Sequence, residues 1–552
     1  MRLTLRILPP LLFVLGVLDL LLVVLASASY APLGRDQGIF QFTAYATASG
    51  DRLYADLREV NGPLTHLVHR LFLVLGGADV HRFRSLDLAV SVAVYAIAGA
   101  LLPRMVHGAD SRSGLRPPGW VYALASVALL LGQYLGYLGW DLAQRESFAT
   151  WFVLLALVAS AMPATRGRRG WPLAAGALCA VAFFGKPTMG IYLPLVLLAA
   201  GATPADRWAR IAATLAGAAL ATALVLGMTG LWLGAPFHGL RLTLIEAPAL
   251  YAELFRRSML ETLALPWLVF PLALGGVGTV LGVAALATGS WPRRFVGLAL
   301  APLAGILALL VQGKGYSYHA HPVTACAWLC VLVLAYQLHA RALALPARGQ
   351  GKAAILTALL TLFFVAHGRW ALGRSPHFFR RDVAWAARAG APERSEARLA
   401  HAEDHDFHPL AMAQAADWLD RHTAPSERVQ IYGTDPLVLF WARRLSATPY
   451  LYEYDLDVGH ALQGAIARRG ADHPKTVAIR EMGLRHGADA LARLEREPAA
   501  AFVLFDGSPF MVLPTALEDL RRAQPALAQF LETRYRPAVT FGSSVHVWER
   551  IR

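Results

Sequence analysis

The stretch LGRDQGIFQFTAYATASGDRLYADLREVNGPL, residues 33–64, is the first long polar segment in a chain that is otherwise dominated by apolar runs. Asp36 follows one of these runs by only a few residues, so it should lie near a membrane surface. The segment carries four acids and three arginines: Asp36, Asp51, Asp56, Glu59, Arg35, Arg52 and Arg58. A carboxylate that is beside the bilayer but in a wet cavity can accept a proton from a hydroxyl nucleophile. The pattern favours either a catalytic loop or a solvated loop with surface acids.

The composition predicts an α-helical polytopic membrane protein. Of the 552 residues, 56% are hydrophobic and 16% are charged, whereas about 25% of a soluble protein's residues are charged. Several apolar runs approach or exceed the roughly 18 residues that indicate a bilayer span. We expect about eleven spans, at residues 10–28, 86–103, 119–139, 147–163, 172–185, 188–202, 211–234, 266–289, 296–312, 319–338 and 354–372.

Three of these regions have features of their own. The first run is longer than the apolar part of a usual signal peptide, so we interpret it as a retained anchor, with cleavage near Ala28 as the alternative. The segment 63–77 contains His66, His69 and Arg70 and predicts a helix that lies on the membrane surface. The runs 172–185 and 188–202 meet at Lys186-Pro187 and predict two short helices, or one kinked span. Their glycines, and those of 213–227, favour close helix packing.

The net charge of +14 is explained by loop arginines. With the N-terminus inside, the inner loops carry fifteen basic residues and two acids, Asp110 and Asp206. This asymmetry follows the positive-inside rule and makes nucleic-acid binding the weaker explanation of the charge. It predicts a multi-pass membrane protein with a cytoplasmic N-terminus. Residues 29–85 and those after about 373 would then lie on the outer, periplasmic face.

The chain is expected to contain a membrane domain, residues 1–372 with a first outer loop at 29–85, and a small extracytoplasmic α/β domain, residues 373–552. Within the second domain we expect strands near 427–433, 501–506 and 544–549 and helices near 408–422, 436–444 and 514–532. His401–His408 is rich in possible zinc ligands, but a solvated polar linker leading into a helix is the favoured interpretation. The three cysteines, Cys179, Cys326 and Cys330, lie in apolar runs and imply no disulfide.

A second candidate site follows the third apolar run, in GWDLAQRES, residues 139–147. Asp141, Arg145 and Glu146 stand here at the start of a helix. Acids at a helix N-terminus are favoured by the backbone dipole, so Glu146 with Ser147 could simply cap the helix. The alternative is a role in sugar or acceptor binding.

Two further outer segments carry lysines. Lys186 lies in an apolar region, where an ammonium must either reach the interface or pair with an anion such as a phosphate. Lys314 is flanked by glycines in QGKGYSYHAHP, residues 312–322, so that backbone amides and an ammonium can approach one anion. The same segment supplies further hydrogen-bond donors, namely Tyr316, Tyr318, His319 and His321.

The order D-Q-G-[IF]-[FY], then A-x(n)-G, then Y-x-D-x(n)-G-P in the opening segment resembles the first outer loop of the GT-C glycosyltransferases. These include the protein O-mannosyltransferases, the aminoarabinose transferase acting on lipid A and a bacterial RgtA/B/C/D-like group. The resemblance implies a bundle of about eleven helices, often followed by a periplasmic domain, with Asp36 as the catalytic base. Gln37 and Asn61 depart from the common pattern, so no family role passes to them. Glu59 is expected to serve as a second carboxylate.

The resemblance implies an inverting glycosyltransferase that moves a sugar from a polyprenyl-phosphate donor to a hydroxyl of a lipid, glycan or protein acceptor, in contact with membrane lipid. Asp36, Glu59 and Glu146 are the predicted catalytic residues. The predicted substrate-binding residues are Arg35, Asp141, Arg145, Lys186, Lys314, Tyr316, Tyr318, His319 and His321. No cofactor is assigned, and dependence on a divalent metal ion is left open. A lipid or polysaccharide transporter, and a degenerate member that only binds lipid, are the alternatives.

Overall fold

The structure is a computed structural model that describes residues 29, 31–107, 117–136, 141–163, 169–203, 206–241, 245–246, 250–343, 359 and 394–551. The chain is mostly helical and divides into two compact units. The first unit comprises residues 1–31, 81–226 and 257–384, and the second comprises residues 32–80, 227–256 and 385–552. The opening segment therefore belongs to the same unit as the C-terminal part of the chain.

The first unit is a bundle of helices. The helices that lie wholly or mostly in this unit are Val80–Ala100, Leu102–His107, Gly119–Leu135, Arg145–Ser160, Gly170–Gly185, Tyr192–Gly201, Arg207–Leu233, Met259–Leu263, Pro266–Ala287, Val296–Gln312 and His321–Leu343. Short 3-10 helices cover Pro187–Ile191, Arg293–Phe295 and Ser317–Ala320. Within the described residues, five helical stretches are long and apolar enough to cross a membrane: Val80–His107, Arg207–Leu233, Pro266–Ala287, Arg293–Gln312 and Ser317–Arg341.

Glycines bring neighbouring helices of this unit into close contact, as the Gly-rich runs predicted. A Cβ added to Gly176 would lie 1.8 Å from the carbonyl oxygen of Thr214, and one added to Gly217 would lie 1.9 Å from that of Leu173. Only glycine permits two helix backbones to approach this closely. Helices Gly170–Gly185 and Arg207–Leu233 are therefore packed backbone against backbone.

The predicted break at Lys186-Pro187 is present, since a helix ends at Gly185 and the next regular helix begins at Tyr192. A reversal of the two short helices at the membrane surface stays a prediction. The segment 63–77 forms helix Pro63–Gly76, and its position on a membrane surface stays a prediction. The predicted spans 10–28 and 354–372 lie outside the described residues, apart from Leu359. The total of about eleven spans thus also stays a prediction.

The second unit contains a five-stranded sheet: β1 (Arg428–Tyr432), β2 (Leu445–Ser446), β3 (Ala501–Phe505), β4 (Tyr535–Phe541) and β5 (Val545–Arg550). The strand order is β2-β1-β3-β5-β4. Strand β1 pairs in parallel with β2 and β3, whereas β5 runs antiparallel to β3 and β4. β3 is buried at every position, as expected for a central strand with both faces covered.

Helices pack against this sheet. Those of the second unit are Arg35–Ala48, Pro63–Gly76, Phe237–Arg241, Glu396–Leu399, Pro409–His422, Leu437–Ala442, Glu453–Leu456, Gly459–Arg469, Pro474–Arg496, Ala516–Ala523 and Pro525–Arg534. The core contains Tyr432, Phe502 and Leu504 from the sheet and Leu494 and Leu520 from the helices. The expected strands at 427–433, 501–506 and 544–549 and the helices at 408–422 and 436–444 are present within a residue or two.

The expected single helix at 514–532 is instead two helices, Ala516–Ala523 and Pro525–Arg534. Pro525 lacks a backbone N–H and its ring clashes with the preceding turn, so the first helix ends before it and the second begins at it. Gln524 lies between the two and its amide donates to the carbonyl oxygens of Leu456 and Gly483, at 2.8 and 3.0 Å.

The opening segment is joined to the C-terminal part of its unit by buried charges. The guanidinium of Arg58 donates to Asp455 at 2.6 Å, and its backbone N–H donates to the carbonyl oxygen of Pro449 at 2.7 Å. Arg428 of β1 pairs with Asp51 at 2.6 Å. The predicted domain boundary at 372/373 falls outside the described residues and stays a prediction.

Candidate active site

Asp36 lies in the first turn of helix Arg35–Ala48, where the positive end of the helix dipole favours a carboxylate. It is half-buried. Within the described part of the chain its carboxylate makes no ion pair and accepts no side-chain hydrogen bond. Such a group is accessible and is not already committed to another residue.

The other acids of the opening segment differ from Asp36 in this respect. Asp51 is paired with Arg428, and Asp56 is paired with Arg52 at 2.8 Å. The carboxylate of Glu59 is fully buried and accepts hydrogen bonds from its own segment and from Tyr452. Asp36 is thus the one acid of the four in this segment that, among the described residues, has no such partner.

Glu59 is surrounded by donors. The hydroxyl of Tyr452 donates to it at 2.8 Å, and the backbone N–H groups of Val60 and Asn61 donate at 2.8 and 3.0 Å. Burial raises the pKa of the Glu59 carboxyl to about 6, against these hydrogen bonds, which lower it. The arrangement holds the turn at residues 59–61 in place and leaves the predicted role of Glu59 in chemistry a proposal.

Arg35 and Gln37 are held on either side of Asp36. The guanidinium of Arg35 pairs with Asp435 at 2.9 Å and with Asp406 at 3.2 Å. Burial acts to lower the pKa of Arg35, but the charges of Asp435 and Asp406 raise it above its ordinary value. The side chain of Gln37 accepts from the backbone N–H of Gly34 at 2.5 Å and caps the helix. These contacts fix the first helical turn, and with it the backbone of Asp36.

The first unit contains a second cluster, formed around Glu146. Its carboxylate is buried and ion-paired with the ammonium of Lys186. The imidazole Nε2 of His319 lies 3.3 Å from the same carboxylate and 3.0 Å from the Lys186 nitrogen. Arg145 approaches the other carboxylate oxygen at 3.7 Å, and its guanidinium donates to the hydroxyl of Tyr318 at 3.2 Å. Three segments that are far apart in the chain thus meet at the Glu146 carboxylate.

Local sequence explains why these groups meet. Helix Arg145–Ser160 begins where Gln144 caps it, and the Ser147 hydroxyl accepts from the Gln144 N–H at 2.8 Å. Ser147 therefore provides the predicted cap, which leaves Glu146 to pair with Lys186. Pro187 cannot continue the preceding helix, so that helix ends and Lys186 adopts an extended conformation.

Asp141 and His321 form a neighbouring contact. The hydroxyl of Ser317 donates to the Asp141 carboxylate. Nε2 of His321 lies 3.0 Å from the Asp141 carbonyl oxygen. Nε2 of His319 thus lies against the Glu146 carboxylate, whereas Nε2 of His321 contacts a backbone carbonyl oxygen.

Both glycines around Lys314 have positive φ values. Gly313 and Gly315 have φ values of 58° and 71°. A Cβ at Gly315 would lie 2.2 Å from the Cδ1 of Leu265, and the positive φ would strain any other residue there. The Gly315 carbonyl accepts from the indole of Trp267 at 2.8 Å. Lys314 is held buried between them, and the rings of Tyr316 and Tyr318 stack at 5.5 Å.

The predicted site residues fall into two sets, one in each unit. Arg35, Asp36 and Glu59 belong to the second unit, and all the others belong to the first. Sequence reasoning missed Tyr452, Asp435 and Ser317, which bind predicted site residues directly. Ser317 stood inside a segment already identified. Tyr452 and Asp435 are about 400 residues from their partners, and no local pattern indicates such pairings.

Metal ligation has one geometric candidate among the described residues. Ligand atoms of Asp404, His405 and Asp406 all lie within 4.8 Å of one another. Asp404 and His405 are exposed, and Asp406 is already paired with Arg35.

In the first unit, Cys326 lies 3.9 Å from the Tyr192 hydroxyl and Cys330 lies 3.3 Å from the Leu298 carbonyl oxygen. Both thiols are free and fully buried, as their apolar sequence context predicted.

Comparison with known proteins gives matches among solved structures. No protein-family model and no curated protein matches the chain. The structure of ArnT from Cupriavidus metallidurans bound to undecaprenyl phosphate is similar, with a TM-score of 0.53 and 16% identity over 98% of both chains. Its apo form gives a TM-score of 0.50 and 16% identity over 98% of this chain and 97% of that one. At this identity the likeness establishes a common fold.

Proposed function

We propose, from the GT-C fold that this chain shares with ArnT, an aminoarabinose transferase, that the protein is an integral membrane glycosyltransferase using a polyprenyl-phosphate sugar. The observation that carries the proposal is the cluster of Arg145, Glu146, Lys186 and His319. Ionisable groups buried in a bundle of membrane helices are costly to maintain and are typical of functional sites. Their position at helix ends and breaks, away from helix centres, favours a site reached from one membrane face.

Counted together with Lys314 and Asp141, the cluster has a net positive charge, which suits a phosphate. Arg145, Lys186 and Lys314 supply three positive charges, and Glu146 and Asp141 supply two negative ones. Lys186 is 16% exposed, so its ammonium can be reached by a ligand while it remains paired with Glu146. Preorganised cations of this kind stabilise negative charge as it develops on a departing phosphate. The hydroxyls of Tyr316 and Tyr318 and the imidazoles of His319 and His321 would supply hydrogen bonds to the donor.

Asp36 is the proposed general base, because its carboxylate is accessible and, among the described residues, has no pairing partner. It would accept the proton of the acceptor hydroxyl as the oxygen forms its bond to the anomeric carbon. The bond from that carbon to the phosphate oxygen breaks, and the lipid phosphate leaves with the electron pair. A single displacement inverts the anomeric configuration. Arg35 and Glu59 would hold the segment that carries Asp36, and Asp141 would help to bind the sugar or acceptor.

The arginine asymmetry of the loops supports a bacterial inner-membrane protein that works at the periplasmic face. That compartment lacks nucleotide sugars, so a lipid-linked donor is the natural source of activated sugar. The acceptor would be the hydroxyl of a lipid, a glycan or a protein.

The proposed function is tested with the full-length protein in liposomes, defined polyprenyl-phosphate sugars and a panel of lipid, glycan and protein acceptors. The expected result is release of polyprenyl phosphate in equal amounts with a glycosylated acceptor. The alternative, a lipid or polysaccharide transporter, predicts movement of the lipid-linked substrate between leaflets with no glycosylated product. That second outcome would reject the glycosyltransferase proposal.

A further inference from the structure

A groove of about 950 Å³ opens at one end of the first unit, away from the cluster around Glu146. It is lined by helix Tyr192–Gly201 along most of its length, by the last turn of Pro266–Ala287, and by the beginnings of Arg207–Leu233 and of the segment Arg293–Gln312. The volume is at the upper end of the roughly 300–1,000 Å³ that small-molecule pockets occupy. All four elements contribute the same end of the bundle, so the groove lies where membrane helices reach the interface.

The wall of the groove is apolar. Pro194, Leu197, Leu198, Ile211 and Leu286 contribute to it, and Leu198 is 52% exposed. In a membrane bundle such a concave surface is filled by hydrocarbon. A groove holds a chain in one place, whereas a convex helix surface contacts only exchanging lipid.

The mouth of the groove is cationic. Arg207 and Arg293 line it, and both are exposed. Within the described part of the chain neither guanidinium has a carboxylate partner. Trp208 is 72% exposed at the same mouth, and the Arg207 guanidinium lies 5.0 Å from the centre of its ring. Tryptophan beside arginine is the pattern expected where lipid headgroups meet the hydrocarbon layer.

Two further arginines next to the lining residues add positive charge at this end of the bundle. Only 5% of Arg210 is exposed, and its Nε has no hydrogen-bond partner among the described residues. Arg294 donates to the carbonyl oxygens of Ala161 and Met105, at 2.9 and 3.0 Å, and pairs with no carboxylate in the described chain. Four arginines are thus accompanied here by a single acid, Asp206.

We propose that this groove is a specific site for one anionic phospholipid of the surrounding membrane. Its acyl chains would lie along the apolar wall, and its phosphodiester would bind Arg207 and Arg293. Inorganic phosphate would leave the apolar wall uncovered, and a zwitterionic headgroup would bring a cation next to the two arginines. The charge count of the loops assigns this end to the cytoplasmic face, where anionic lipids create a negative surface. The proposal is independent of the glycosyl transfer proposed above.

The test measures lipid retained by the full-length protein in nanodiscs of phosphatidylcholine containing a small fraction of phosphatidylglycerol. Native mass spectrometry counts the retained lipid. The wild-type protein should keep about one phosphatidylglycerol, and Arg207→Gln with Arg293→Gln should weaken its retention at least tenfold. Arg341→Gln removes an exposed arginine at another helix end of the same unit and should retain lipid as the wild type does.

A second variant tests the apolar wall without changing the charges. Ala202→Phe places a ring in the groove and should also abolish retention, while both arginines remain. The proposal is overturned if the double arginine variant retains as much phosphatidylglycerol as wild type, or if phosphatidylcholine is retained equally well. Binding of inorganic phosphate alone with the same affinity, or retention of polyprenyl phosphate instead of phospholipid, would overturn it as well.

Discussion

At the scale of single residues, the contact between Lys186 and Glu146 has both a structural and a functional consequence. Glu146 is fully buried; Lys186 donates a hydrogen bond to one of its oxygens, and Arg145 lies 3.7 Å from the other. Removing one member of a buried pair leaves an uncompensated charge, which costs about 3–5 kcal/mol of stability. A single substitution at Lys186 would therefore lower activity for two different reasons, which a double substitution can separate.

We predict that Lys186→Gln lowers both the unfolding temperature and the rate of transfer. Glu146→Gln combined with Lys186→Gln removes both charges and should recover the unfolding temperature. Transfer by the double variant should stay at least ~100-fold below wild type, because the cation that offsets the departing phosphate is still missing. Recovery of transfer together with stability would mean that Lys186 has only a structural role.

Glu453 of the second unit provides a prediction for the dependence of stability on pH. Burial raises the pKa of its carboxyl to about 7, although it accepts hydrogen bonds from Thr434, from Ser508 at 2.8 Å and from the Phe510 N–H at 3.0 Å. The folded state thus binds this proton more tightly than the unfolded state. Its contribution to stability is present below pH ~4.5 and is lost as the pH rises to about 7.

We expect Glu453→Gln to flatten the fall in unfolding temperature between pH ~4.5 and 7, since the neutral amide keeps a carbonyl acceptor for Ser508 and Phe510. The loss of unfolding free energy between these pH values that the substitution removes is on the order of 3 kcal/mol, because one pKa unit corresponds to about 1.4 kcal/mol. The exposed Glu481→Gln serves as the control and should reproduce the wild-type profile. An identical profile for Glu453→Gln and wild type would contradict the assignment.

At the scale of elements, helix Arg35–Ala48 packs against helix Leu437–Ala442 through Gly38. A Cβ at Gly38 would lie 2.9 Å from the Cβ of Leu437, closer than side-chain carbons normally approach. The absence of a side chain at Gly38 thus sets the distance between these helices and, through it, the position of the turn that carries Asp36.

Gly38→Ala should destabilise the second unit by about 1–3 kcal/mol, as overpacking does. Combining it with Leu437→Ala should recover part of that loss in a double-mutant cycle, because the clash is removed. Gly227→Ala, at a helical glycine with open space around its Cβ position, should change stability little. Strict additivity of the two substitutions would show that the two helices do not limit each other at this point.

The strands and helices also differ in how well the sequence predicts them. The strands near β1, β3 and β5 and the helix Pro409–His422 follow from apolar periodicity and were predicted. Helix Pro474–Arg496 was missed, although Ile479, Met482, His486, Ala490 and Leu494 recur every three or four residues on its buried face. β4 gave no comparable signal, because its buried residue Tyr535 is followed by exposed and half-exposed positions at this edge of the sheet.

At the scale of the whole molecule, the sequence did not predict that the opening segment belongs to the same compact unit as the C-terminal sheet. The contacts responsible join residues far apart in the chain, namely Arg58 with Asp455 and Arg428 with Asp51. Charged residues in a polar segment look alike in sequence whether they face solvent or a distant partner. Hydropathy identifies membrane helices because burial in lipid affects every residue of a span, but pair formation leaves no such trace.

For the candidate site, too, the sequence predicted the segments but not the residues that complete their contacts. The segments around Glu146, Lys186 and Lys314 were identified because charges interrupt apolar runs, and within the first unit the first two of these do meet. The residues that complete the arrangement, such as Ser317 and Tyr452, are ordinary polar residues whose role depends on the fold. Asp36 was selected by its resemblance to a family motif, and its freedom from pairing among the described residues became visible only in three dimensions.

In the proposed mechanism, Asp36 takes the acceptor proton during sugar transfer. The most direct measurement is the rate of transfer from a defined polyprenyl-phosphate sugar by wild type, Asp36→Asn and Asp56→Asn. Asp56 is a matched control, because it lies in the same segment and its pairing with Arg52 is at the surface. Asp36→Asn should reduce the rate by roughly 10²–10⁴-fold, the usual contribution of a general base, with Asp56→Asn close to wild type. Transfer by Asp36→Asn at the wild-type rate would show that Asp36 is not the general base.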